Sequence, residues 1–284
     1  MKETNDVYIL DEELIRLGVQ SRLLKEYEQP MYDSIFSGKQ GAAVLDIGCN
    51  DGSKTVDRFQ RKEVRRVIGL EYHEHLAAEA NDRYRNDRFQ FYHANVESEQ
   101  FEETLTAILN ETGEKGFDVI NLSFLLVNLK QPARLLARLK PFLNPGGMLA
   151  IVDPDDRLSR MIPDENHRMK FFLQVCEDDP LAGKRYFEGE LTNYLSSCGY
   201  QDIHVHSSCV SSELTDRKKR DMMFQTFFSY IPNDYESLCS QAPENHEYAR
   251  VRQQISENFE PFRTEFMNRA DHVECGVLLI SCGL

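Results

Sequence analysis

The chain has 284 residues, 41% hydrophobic and 28% charged, enough for one large domain that buries roughly three quarters of its unfolded surface. Its net charge of -14 argues against a general affinity for nucleic acid, which needs clustered Lys and Arg, and leaves room only for a local basic patch at Arg217-Lys218-Lys219-Arg220. No apolar segment is long enough to span a bilayer, Met1 to Asp6 lacks the apolar stretch of a secretory signal, and seven scattered cysteines include no Cys-x-x-Cys pair.

A cytoplasmic protein with free, mostly buried thiols and no membrane partner is therefore expected. Residues 10–36 read as helical, with Leu14, Leu17, Leu24 and Tyr27 among the apolar positions. Pro30 either ends that helix or opens another. Inside it lies Glu13-x-x-Arg16-Leu17-x-x-Gln20, whose plain reading is an amphipathic packing helix with an exposed Glu13 and Arg16 pair.

The chain is organised around residues 42–52. Ala43-Val44-Leu45-Asp46-Ile47 is the short apolar run of a parallel strand covered on both faces, broken by one carboxylate. It enters Gly48-Cys49-Asn50-Asp51-Gly52, and a helix follows over 53–60. Gly48 and Gly52 suit a sharp strand-to-helix turn that a ligand can approach closely. A second strand, 66–70, ends at Glu71, where doubly wound folds place the acid that grips a ribose.

Residues 74–85 predict a helix, Phe89 to Tyr92 a third strand, 99–110 a helix and 117–122 a fourth strand. Ser123-Phe124-Leu125-Leu126-Val127-Asn128-Leu129 follows, then a helix from Pro132 to Phe142, the turn Leu143-Asn144-Pro145-Gly146-Gly147 and a fifth strand over 148–153. Asp153-Pro154-Asp155-Asp156 ends it with three carboxylates, which either serve a substrate or form a solvated acidic turn. Helices are expected at 166–175 and 188–197, a sixth strand at 199–206 and a last strand at 273–282. His204 and His206 share one strand face, but a metal would need a third ligand, and none is expected. Residues 213–271 are too apolar for a linker and read as a helical insertion.

Val44 to Gly52 and Val67 to Glu71 together resemble the first and second motifs of class I S-adenosylmethionine-dependent methyltransferases. Residues 117–129 and 132–153 resemble the segments that follow in that family, so the likeness runs from about 42 to 153. Asn50 stands where the family most often has its middle glycine, and Asn tolerates left-handed φ better than other residues with a Cβ. The fold this implies is α/β, a doubly wound, mostly parallel, seven-stranded Rossmann-like sheet. One domain spans 1–284: an N-terminal helical cap at 1–40, core sheet and helices at 41–212, the helical insertion at 213–271 and the final strand at 272–284.

The resemblance implies S-adenosylmethionine as cofactor. Gly48, Cys49, Asn50 and Gly52 would pass its methionine part, and Asp46 would brace the loop. Glu71 would accept from both ribose hydroxyls and Tyr72 would pack on the adenine. Asn95 would meet the adenine amino group, unless it caps the helix that follows, and Val96 would lie against the ring. Ser123 and Phe124 fall beside the transferred methyl, and Gln20 belongs to a pattern that folds over the cofactor in small-molecule members.

No catalytic residue is assigned, because Val127 and Asn128 occupy the places where many small-molecule members carry His. Asn128, Asp153 and Tyr186 are the candidates. Ser123-Phe124 also departs from Asn-Pro-Pro-Tyr, which disfavours adenine and glutamine methylation. The expected activity is methyl transfer to N or O of a small molecule. A cofactor-binding regulatory protein without transfer, and a protein or RNA methyltransferase, are the other readings. The insertion is either a lid or a homodimer element.

Overall fold

The computed structural model describes residues 11–181, 183, 185 and 188–284. In chain order its helices and strands are α1 (Asp11–Phe36), β1 (Ala42–Ile47), α2 (Ser53–Phe59), β2 (Val64–Glu71), α3 (Glu74–Tyr84), β3 (Phe89–His93), α4 (Phe101–Thr112), β4 (Phe117–Ser123), α5 (Pro132–Leu139) and β5 (Leu143–Pro154). They continue with β6 (Arg160–Ile162), α6 (Arg168–Asp178), α7 (Glu188–Ser197), β7 (Gln201–Glu213), α8 (Arg217–Phe228), α9 (Ile231–Gln241), α10 (His246–Asn268) and β8 (His272–Gly283). The chain divides into two compact units. The first is Met1–Tyr27, Pro154–Tyr186 and Ser207–Val277; the second is Glu28–Asp153, Phe187–His206 and Leu278–Leu284.

The second unit carries the alternating core. Its strands stand in the order β3-β2-β1-β4-β5, and all four pairings among them are parallel. The order reverses between β1 and β4, so a crevice is expected at their carboxyl ends. Along β1 the side chains alternate between two apolar layers. Ala43, Leu45 and Ile47 join the layer of Leu105, Leu136 and Leu195, while Ala42 and Val44 join that of Tyr32, Phe36 and Phe59. Burial on both faces explains why the strand reads as an unbroken apolar run. By the same alternation Asp46 lies on the face of Tyr32 and α2.

In the first unit β6 pairs antiparallel with the start of β8, Arg160 opposite Glu274 and Ile162 opposite His272. With it the sheet of the described residues has eight strands, one more than the expected seven. Three residues are too few to show a period. An aromatic cluster binds α6, α8 and α10, with Phe172 stacked on Phe262 at 4.6 Å and Phe224 edge-on to Phe266 at 5.3 Å. Phe224 with Phe228, and Phe262 with Phe266, are i,i+4 pairs that line one face of each helix. The insertion is three helices, with α9 between the two stretches expected from sequence.

Pro30 neither ends α1 nor opens a new helix; α1 runs through it. Leu23 and Leu24 before it and Tyr32, Ile35 and Phe36 after it are all buried, which outweighs one lost backbone bond. The basic run is exposed at Arg217 and Lys218 but not beyond them. Arg220 is 0% exposed and donates to the carbonyls of Phe266, Ala270, Ser212 and Asp271. Lys219 pairs with Glu26 and donates to the Tyr27 hydroxyl. All seven cysteines are free, and burial pushes the thiols of Cys49, Cys176, Cys275 and Cys282 up. No helix among the described residues is long and apolar enough to cross a membrane.

Candidate active site

The loop after β1 makes its turn through three left-handed residues, Gly48 at φ 77°, Asn50 at 49° and Gly52 at 77°. A Cβ on Gly52 would lie 2.9 Å from the Phe91 ring, so this position needs glycine for space as well as for φ. The Asn50 side chain accepts from the Asp51 N–H at 2.7 Å, the local bond that makes Asn tolerable there. Gly48 and Cys49 both donate their N–H to the Leu70 carbonyl, at 2.8 and 3.1 Å, and Cys49 is buried beneath.

Glu71 ties the loop to the end of β2. One carboxylate oxygen accepts from the Asn50 N–H at 2.9 Å, and the other accepts from the His73 N–H at 3.0 Å and faces His73 Nδ1 at 3.0 Å. Two oxygens offer about four acceptor positions, of which the Asn50 and His73 N–H groups take two and the His73 ring a third when Nδ1 carries the proton. Tyr72 beside it is 56% exposed, an aromatic face open to a ligand. A buried carboxylate with acceptor capacity left over and an exposed ring beside it suit a nucleoside cofactor.

Behind the loop is a buried polar relay. Asp46 sits opposite Asn121 in the β1–β4 register. It accepts from Asn121 Nδ2 at 2.6 Å and from Thr55 Oγ1 at 2.5 Å, while Tyr32 donates its hydroxyl to Asn121 Oδ1 at 2.7 Å. Every polar atom of Asp46 is thereby matched without water, which holds β1, β4, α1 and α2 in one arrangement under the loop.

Ser123 ends β4, and its hydroxyl accepts from Lys54 Nζ at 3.1 Å. Phe124 follows in left-handed backbone at φ 53°, an unfavourable state for an aromatic residue, held by its N–H donating to the Val152 carbonyl at 2.7 Å. Asn128 does not begin α5. It is exposed and donates to the Phe124 carbonyl at 3.1 Å, stapling that turn.

Asn95 is exposed, and its side-chain oxygen accepts from the Glu97 N–H at 2.9 Å, closing a turn ahead of α4, whose cap position is Gln100 and not Asn95. Val96 lines a cleft of about 210 Å³ with Glu97, Lys130, Arg134 and Arg138.

Asp153 is 0% exposed, and neither carboxylate oxygen completes a hydrogen bond; the Val127 N–H is the one group relieving its charge. Burial raises its pKa well above the carboxylate range, with the Val127 N–H opposing the shift.

In the first unit, Asp155 and Asp156 do not form a solvated turn: Asp155 accepts from Arg157 at 2.6 and 2.8 Å, and Asp156 accepts from Arg185 at 2.6 Å. Glu13 and Arg16 are not an exposed pair either. Arg16 is bidentate to Glu13 and donates also to Gln20 Oε1 at 3.0 Å and the Thr226 carbonyl at 2.8 Å. Gln20 is thus buried within that unit, its oxygen engaged by Arg16. His204 and His206 are exposed, and Tyr186 lies outside the described residues.

A methyltransferase-domain family model matches residues 20–205, the span that carries the loop, Glu71 and β4 with its turn. The chain belongs to the class I S-adenosylmethionine-dependent methyltransferases. An uncharacterized methyltransferase of Schizosaccharomyces pombe is 24% identical over 202 residues, 70% of this chain and 71% of that one. Among solved structures, the [4+2]-cyclase SpnF superposes with a TM-score of 0.52 at 16% identity, over 89% of this methyltransferase and 79% of the cyclase. The YcgJ protein of Bacillus subtilis gives 0.52 at 12%, over 90% and 97%. Both likenesses are of fold.

The methyltransferase uses S-adenosylmethionine, whose sulfonium supplies an activated methyl. The residues present fit it: Glu71 and Tyr72 would face the nucleoside, and the left-handed turn of Gly48, Asn50 and Gly52 would pass the amino-acid end. Sequence reasoning missed Glu28, Lys54, Arg58 and Asn121. Lys54 and Arg58 carry a weak signal, an i,i+4 pair of cations just after the loop; Asn121 carries none until the register is known.

Proposed function

We propose that the enzyme transfers the methyl group to a nitrogen or oxygen of a small molecule. The observation that carries this reading is the carboxyl end of β4. Ser123 and Phe124 stand there in place of a polar Asn-Pro-Pro-Tyr clamp for a planar amide or base, with Phe124 held at positive φ. The net charge of -14 further favours a small acceptor over a nucleic acid.

Displacement at a sulfonium needs the nucleophile aligned about 3 Å away more than it needs a strong base, so positioning carries most of the acceleration. Glu71 holds the ribose, Tyr72 covers the adenine and Asn95 offers its remaining lone pair to the adenine amino group. Val96 bounds the ring. Asp46 keeps the loop in place through Thr55 and Asn121. A cationic amine beside Asp153 would oppose the upward shift that burial imposes on its carboxyl, which favours a proton-accepting role there.

The test is calorimetric titration with S-adenosylhomocysteine. Glu71→Ala is expected to weaken binding roughly tenfold or more, the scale of a lost charge-assisted hydrogen bond, and unchanged affinity would overturn the role of Glu71. Labelled cofactor with amines, phenols and carboxylic acids, and separately with tRNA and protein, tests the acceptor. Turnover of tRNA or protein alone would overturn the small-molecule reading. The second reading, cofactor binding without transfer, draws on Asn50, Asn95 and the missing His at Val127 and Asn128; turnover of any acceptor removes it.

A further inference from the structure

Lys54 and Arg58 stand one turn apart on α2, and both face Glu28 of α1. They are not equivalent. Arg58 takes Glu28 through Nε at 3.1 Å and through a second nitrogen, and the two side chains keep only 6% and 5% exposure. Lys54 lies 3.6 Å from the other oxygen of Glu28, and its side chain keeps 23% exposure against 6% for Arg58. One carboxylate therefore serves two cations, and Arg58 holds it. The other nearby carboxylate, Asp46, has both oxygens committed to Thr55 and Asn121.

The ammonium is aimed at the end of β4. It donates to Ser123 Oγ at 3.1 Å and lies 5.5 Å from the centroid of the Phe124 ring. An ammonium has three donors; Ser123, which also accepts from Arg58 at 3.4 Å, takes one, and Glu28 at 3.6 Å is an ion-pair partner beyond hydrogen-bond distance. Its pKa is pushed down to about 8, first by burial, with Glu28 and Asp46 opposing the shift and the like charge of Arg58 adding to it. Such a cation gains from an anionic ligand more than an exposed lysine does.

We propose that Lys54, with Ser123, forms a carboxylate-binding subsite of this methyltransferase, taking a carboxylate carried by the amino-acid end of the cofactor or by the acceptor. The proposal rests on the cofactor-site reading above. Because bound carboxylate stabilises the charged lysine, binding above pH 8 takes up a proton, and affinity falls as the pH rises from 8 toward 10.

The test compares S-adenosylhomocysteine, which carries the carboxylate, with 5′-methylthioadenosine, which does not, on the wild-type protein and on Lys54→Met. A cofactor carboxylate predicts a loss of at least tenfold for S-adenosylhomocysteine with methylthioadenosine unchanged. It also predicts that the wild-type binding enthalpy at pH 8.5 varies with buffer ionisation heat, a readout that needs no variant. An acceptor carboxylate predicts unchanged S-adenosylhomocysteine affinity. In its place, KM rises at least tenfold in Lys54→Met for hydroxybenzoates or amino acids over their methyl esters. Lys54→Arg keeps the charge and is expected to retain most of the affinity. If Lys54→Met treats acid and ester, and both nucleosides, as the wild type does, the subsite is overturned. If the wild type binds neither nucleoside, the cofactor-site reading falls and the proposal with it.

Discussion

Asn121 of β4 and Asp46 of β1 are register partners whose side chains meet at 2.6 Å in the dry interior beneath the glycine loop. Asn121 is 0% exposed and bonded on both sides, donating to Asp46 and accepting from Tyr32. Replacing it by Ala strands a carboxylate oxygen and a hydroxyl together. Asn121→Ala is expected to cost about 2–4 kcal/mol in urea unfolding and to weaken S-adenosylhomocysteine binding through the loop. Asn121→Asp would place two carboxyls in contact and is expected to be destabilising at pH 8 more than at pH 5.

Asn50 offers a sharper test of backbone conformation. Its φ of 49° is the left-handed state that Gly enters freely and β-branched residues resist. Asn50→Gly is expected to retain cofactor affinity within a few-fold, and Asn50→Val to lose about 1–2 kcal/mol of stability with weaker binding. Thermal unfolding and calorimetric titration of the two variants read this directly.

Arg220 is a buried cation whose partners are four carbonyl groups. Those of Phe266 and Ala270 lie around the end of α10, where orphan carbonyls and the helix dipole both favour a positive charge. Arg220→Ala would leave them unsatisfied and open a cavity. A loss of about 3 kcal/mol or more is expected in urea unfolding, with Arg220→Lys in between because it has fewer donors.

Asp234 on α9 titrates against Asp179. Burial first, then the neighbouring Asp179 carboxylate, pushes its pKa up to about 9. The folded state therefore holds a proton that the unfolded chain, with a carboxyl near 3.9, has released. The stability it contributes is complete below about pH 4 and is lost as the pH climbs to about 9. Asp234→Asn is expected to flatten that decline, so its advantage over the wild type grows from pH 5 to pH 8. Unfolding midpoints across this range check the sign.

Residues 42–52, Glu71 and the run from β3 to β5 are legible in the chain itself. An apolar run, two glycines that need positive φ and an acid after the next strand are local signals. The identity of the cofactor comes from the resemblance of that order to the methyltransferase family. Asp46 is legible as a carboxylate in a buried strand, but its partner is not. Asn121 becomes visible only when β1 and β4 come into register, because strand pairing is a long-range property. The same holds for Glu28, which meets Arg58 across thirty residues of sequence. It also holds for Arg220, whose place in a basic run suggests solvent and whose burial is decided by the carbonyls of Phe266 and Ala270, about fifty residues on. Periodicity and backbone preference are written residue by residue, so the strand, the loop and the acid that ends the next strand can be read directly. Which charges end up buried together is set by packing between distant segments, and that only the tertiary structure decided.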